Sequence, residues 1–117
     1  MIAVIFEVWP ANGQREAYLD HAARLRPELE KIEGFLSVER FQSLTDSRKM
    51  LSLSFWRDEE AIARWRNHIG HRATQKAGRS SVFKDYRLRV AAVMRDYGMG
   101  ERREEAPDDS RQVHPST

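Results

Sequence analysis

The chain contains no cysteine among its 117 residues. That one absence removes disulfide staples, thiolate metal sites and a cysteine nucleophile together, and it fits a reducing, cytoplasmic setting. Long apolar runs are missing too: nothing approaches the roughly 20 residues that a membrane-spanning helix needs. The apolar start, MIAVIFEVWP, carries Glu7 and lacks both a basic leader and a small-residue cleavage site, so it reads as a strand rather than a secretion signal. Also absent are a glycine-rich phosphate loop, carboxylates paired for catalysis and a serine in a nucleophile elbow. Arg87 and Arg89 on one strand invite comparison with RNA-binding sheets. Those sheets need an exposed aromatic pair, which is missing, so nucleic acid is not an expected partner.

What remains is a small mixed chain. Its length sets one domain, able to bury about two-thirds of its unfolded surface. A hydrophobic share of 40% places it among globular rather than disordered sequences. The net charge of +2 is spread unevenly. Residues 98–117 hold three arginines against five acids and almost no apolar side chain, so the reading is a domain over 1–98 and a charged tail over 99–117, expected to be disordered. Between 61 and 95, nine basic residues oppose only Asp85. Such a field attracts anions, although a solvated helix face is the plainer account of it.

Periodicity supplies the elements. IAVIFEVW (2–9) is a nearly continuous apolar, β-branched run, as in a central strand, and Pro10 ends it. Asn12 is placed to cap a helix whose stripe is Tyr18, Ala22, Leu25, Leu29 and Ile32. Pro27 predicts a kink near Arg26, and Gly34 a left-handed stop. FLSVERFQSL (35–44) and MLSLSFW (50–56) read as strands around a polar turn, TDSRK. Asp58 caps a second helix with the stripe Ala61, Ile62, Trp65 and Ile69, which Gly70 is expected to break. DYRLRVAAVMRDY (85–97) is the last strand.

The order β-α-β-β-α-β predicts an α+β, ferredoxin-like fold: a four-stranded antiparallel sheet with two helices, each kinked or broken, on one face. The other face would carry Ala3, Ile5, Trp9, Met50, Trp56, Ala91 and Val93. A surface that apolar is seldom left in water, so a two-fold homodimer is expected.

One stretch, ARWRNHIGHRATQKAGR (63–79), is chemically dense. Trp65 continues the apolar stripe and fits either core packing or the wall of an aromatic pocket. His68 and His71 share a helix face at a spacing that suits two metal ligands, but the only other histidine upstream is His21 and no third ligand is near, so no metal is expected. A break at Gly70 would bare amide groups beside His71 and near Arg72, Lys76 and Arg79, an anion-binding arrangement. Ordinary surface histidines are the alternative.

Three segments then carry a resemblance: SFWRDEEAIARWRNHIGHRATQKAGR, VFKDYRLRVAAVMRDYG, and LRPELEKIEGFLSVERFQSL with its interrupted helix and "GF" entry to the second strand. Together they are similar to the antibiotic biosynthesis monooxygenase family of the dimeric α+β barrel superfamily. The resemblance implies a cavity between helices and sheet, and oxygenation of small aromatic, phenolic or quinol-type substrates without metal, flavin or haem. It implies His68, His71 and Asn67 as catalytic groups and Trp65, Arg79, Tyr86 and Arg87 as substrate-binding groups. A non-catalytic ligand-binding module would use the same cavity. A haem-degrading branch of the family uses an asparagine near the end of the first strand and a histidine farther along the second helix. Glu7 and Gln75 stand there in this chain, which disfavours haem.

Overall fold

The computed structural model describes residues 1–75 and 82–106. Its elements are β1 (Ile2–Pro10), α1 (Arg15–Leu29), β2 (Phe35–Gln42), β3 (Met50–Trp56), α2 (Glu59–Gln75), β4 (Phe83–Ala92) and, within the segment read as tail, a single 3-10 turn (Arg103–Glu105). The strands form one sheet in the order β2-β3-β1-β4, with β1 antiparallel to β3 and to β4, and β2 antiparallel to β3. This is the ferredoxin-like arrangement. No helix among the described residues is long and apolar enough to cross a membrane.

Local chemistry accounts for most boundaries. Asp58 Oδ1 accepts the Ala61 N–H at 2.9 Å, an N-cap, and Glu59 and Glu60 sit in the positive first turn of α2. That amide bond, then the Arg57 guanidinium, holds the Asp58 carboxyl below the usual aspartate range. β4 ends at Ala92, five residues short of the expected limit. Val93 N–H still reaches Met1 O at 3.0 Å, but β1 offers nothing further to pair with.

Several expectations fail for identifiable reasons. Asn12 does not cap α1: the Gln14 N–H donates to Ala11 O at 2.8 Å, and this turn, with Gly13 at φ 75°, delays the helix to Arg15. Pro27 does not break α1, which continues to Leu29; lying in the last turn, it disturbs little beyond itself. Gly34 does not stop the helix directly but closes the turn that follows, at φ 92°. Gly70 leaves α2 unbroken through Gln75, since a helical glycine weakens a helix without terminating it. The expected short second helix, with its bared amides, is therefore not formed within the described residues.

The faces of the sheet also differ from expectation. Met50 and Trp56 lie on the helix side, not the open side. Trp56 packs with Leu29, Val38 and Ala61, and Met50 with Val8 and Tyr18. Alternation then assigns Leu51, Leu53 and Phe55 to the open face, in rows with Ala3 and Ile5.

Gly34 and Gly70 give a paired test. A Cβ on Gly34 would sit 2.7 Å from the Ala61 Cβ at a backbone angle alanine avoids, whereas Gly70 has open space around it. Gly34→Ala should cost about 2–4 kcal/mol. Gly70→Ala should add up to about 1 kcal/mol if α2 is continuous. Urea denaturation reads both, and a destabilising Gly70→Ala would contradict the unbroken helix.

Candidate functional site

Residues paired across an antiparallel sheet share a face. On the helix side three successive rows, read from β2 to β4, are Val38–Ser54–Val4–Val90, Arg40–Ser52–Phe6–Leu88 and Gln42–Met50–Val8–Tyr86. The buried core is in two pieces: Leu29, Val38, Trp56 and Ala61 at one end, and Val8, Tyr18 and Met50 at the other. Between them the sheet presents Ser54 and Ser52 where large apolar side chains would close the layer. Ser54 is buried and accepts the Trp56 indole N–H at 2.9 Å. At the β4 edge Val90, Leu88 and Tyr86 are 47%, 51% and 58% exposed. The seam between helices and sheet is thus least covered along the edge strand β4.

α2 forms the opposing wall and packs on the first core cluster through Ala61, Ile62 and Trp65. Trp65 is half-buried against the first core cluster, and its ring stacks on His68 with centroids 5.7 Å apart and planes 26° from parallel. His68 Nε2 lies 2.8 Å from Glu28 Oε1 of α1. The carboxylate fixes the ring and favours a proton on Nε2. That leaves the Nδ1 lone pair as the one not engaged by Glu28.

Of the sequence-derived candidates, the structure brings Trp65, His68 and Tyr86 to the helix side of the sheet. Tyr86 packs on Phe6 and Phe83, with centroids 5.6 and 6.1 Å away. Asn67 is exposed and lies roughly 200° around α2 from Trp65, so it does not join the stack. Arg87 pairs with Glu7 and lies on the outer face, opposite Tyr86; the two cannot line one cavity. The side chain of His71 and all of Arg79 lie outside the described residues. Glu28 was not anticipated, being 40 positions from His68 with no periodic signal linking them. The two serines were grouped correctly by alternation but assigned to the wrong face.

Two further depressions, of about 190 and 150 Å³, lie at the corner formed by Pro10 and Asn12 and do not reach Trp65 or His68. No cluster of three metal-ligating groups occurs among the described residues.

The family model for antibiotic biosynthesis monooxygenase matches residues 1–77. The chain belongs to that family. It is 48% identical over 93 residues to a protein of Pyricularia oryzae named jasmonate monooxygenase ABM, covering 80% of this chain and 43% of that one. It is 40% identical over 93 residues to the uncharacterized protein YqjZ of Bacillus subtilis, covering 80% and 79% respectively. Among solved structures, the haem-degrader MhuD of Mycobacterium tuberculosis, with two haems bound in its active site, shares the fold. The TM-score is 0.64 at 20% identity, over 84% of this chain and all of MhuD.

Within this family member the outer face carries its own charged group. Glu7 bonds Lys49 and Arg89, and Lys49 lies 5.1 Å over the Trp9 ring, whose N–H donates to Asp46 at 3.1 Å. Lys49 first, then Arg89, holds the Glu7 carboxyl below the usual glutamate range. A depressed folded-state value contributes stability that is present above the ordinary glutamate range and is lost as pH falls through the lowered value. The stability difference between wild type and Glu7→Gln should therefore be flat near neutrality and shrink in acid. Urea titrations at several pH values check this; a difference that grows in acid would contradict it.

Proposed function

We propose that this protein is a cofactor-independent monooxygenase acting in the seam between helices and sheet on a small aromatic, phenolic or quinol-type substrate. The supporting observation is the His68–Glu28 pair, with the imidazole stacked on Trp65 where that ring packs against the first core cluster. In such a reaction the substrate supplies the electrons, so it must first become an anion. His68 removes the proton, Glu28 stabilises the imidazolium that forms, and Trp65 and Phe6 exclude water from the anion. For an activated ring methylene the balance is CH2 + O2 → C=O + H2O, with no external reductant. The relative named jasmonate monooxygenase supports oxygenation and adds jasmonate to the substrates worth testing.

Oxygen uptake with anthrone- and quinol-type compounds and with jasmonate tests the reading. His68→Ala should lower kcat/KM by roughly 10²–10⁴ with substrate binding retained, the usual size of a general-base contribution. Glu28→Gln should cost less, on the order of tenfold. Binding without turnover across the panel would favour the non-catalytic ligand-binding module instead.

Haem is the reading that MhuD raises. Two described residues argue against it: the Nε2 of His68 is engaged by Glu28, and Glu7 lies on the outer face, tied to Lys49 and Arg89, while the side chains of His71 and Gln75 lie outside the described residues.

The outer sheet face, with Ala3, Ile5, Leu51, Leu53 and Phe55, is proposed to be covered by a second copy of the chain. Leu53→Glu, which puts a charge in the middle of that face, should convert a sedimenting dimer to monomer. A wild-type monomer at micromolar concentration would refute the dimer.

A further inference from the structure

The middle row of the inner sheet face contains a cation that nothing anticipated. Arg40 on β2 is paired with Ser52 on β3, and Ser52 with Phe6 on β1, so the three side chains stand on the helix side of the sheet. Arg40 is half-buried. Its Nε is shielded from solvent and has no hydrogen-bond partner, and the guanidinium makes no ion pair among the described residues. A shielded donor without an acceptor is costly, and the cost is larger when the group is charged. The neighbouring Ser52 hydroxyl likewise has no hydrogen bond among the described residues. Elsewhere even exposed arginines find partners: Arg89 binds Glu7, Arg57 binds Asp58, and Arg64 donates to Glu33 O at 3.0 Å.

We infer that Arg40, with Ser52 beside it, is an anion-binding site for the carboxylate of an otherwise apolar ligand lying across the seam. A planar carboxylate takes two parallel hydrogen bonds from a guanidinium fork and can accept a third from a hydroxyl. The rest of the row suits the remainder of such a molecule. Phe6 and Leu88 continue from Ser52 as an apolar floor, and Leu88 is half-exposed and uncovered. The ligand class is therefore an amphipathic carboxylic acid, charged end toward β2 and hydrocarbon toward β4. This deepens the monooxygenase reading, since it assigns the acid's orientation in the same seam, but equilibrium binding measures it without oxygen chemistry.

The probes are 1-naphthoate and its neutral counterpart 1-naphthalenemethanol, titrated by calorimetry into the full chain. Wild type should bind the naphthoate at least tenfold more tightly than the alcohol. Arg40→Gln should remove that preference, leaving binding of the alcohol unchanged, and Arg40→Lys should restore part of it. Thermal melts show whether each variant is folded, and Ser52→Ala gives a milder second test with an expected loss of a few-fold. Equal affinity for both probes in wild type would overturn the inference, as would an undiminished preference in folded Arg40→Gln. Arg40-dependent naphthoate binding together with no oxygen uptake would uphold the inference while removing the monooxygenase reading.

Discussion

The position of β1 between β3 and β4 fixes everything that can be said about the site. Side chains on a strand alternate with period two, so sliding β1 by one residue would exchange its two faces. In the observed register Val8 is fully buried, with Val4 and Phe6 in the helix layer, and Ala3, Ile5 and Glu7 face outward. The outer face guards that register. Glu7 is held by Lys49 from the β2–β3 turn side and by Arg89 from β4, so one carboxylate ties β1 to both sides. Slipping it inward would put a charge against Tyr18 and Met50 in the place Val8 now holds, at a cost far above that of any single apolar mismatch.

From that sheet the second wall is positioned by contacts made well away from the chemistry. The Arg57 N–H donates to Gly34 O at 2.7 Å, Asp58 starts α2, and Ala61 passes so close to Gly34 that no side chain fits there. These contacts set where α2 leaves the sheet edge relative to the end of α1. The meeting of His68 with Glu28 about two turns later depends on them. A shift of α2 by one residue would rotate the imidazole about 100° away from the carboxylate.

The amount of this that could be read from the sequence follows from what periodicity encodes. The bounds of β3 and the start of α2 came directly from alternation and from Asp58. The stripe on α1 was equally clear, and Tyr18, Ala22 and Leu29 are its buried members. Alternation groups residues but does not say which group meets the helices, and in β3 both groups are plausible: Met50 and Trp56 bracket two serines, against Leu51, Leu53 and Phe55. Only pairing with β1 decides, which is a tertiary fact. Gly70 misled because glycine lowers helix propensity by about 1 kcal/mol, less than the packing of Ile62 and Trp65 supplies. The separation of Tyr86 from Arg87 was available from alternation alone. Glu28 and Arg40 were not, because their roles come from what they meet or fail to meet across the layers.

The seam itself is hard to explain as packing. Leaving Tyr86, Leu88 and Val90 about half-exposed forgoes roughly 1 kcal/mol of burial for each, and leucine in place of Ser52 would join the two core clusters. A half-buried guanidinium without an acceptor adds a further penalty at the same level of the sheet. These costs fall on adjoining rows of the same, helix-side face of the sheet. A chain under selection for stability alone would relieve them with one or two common substitutions. The proposed ligand would relieve them as well, by placing hydrocarbon on Phe6 and Leu88 and an acceptor at Arg40, and so accounts for the apolar and the charged defects together.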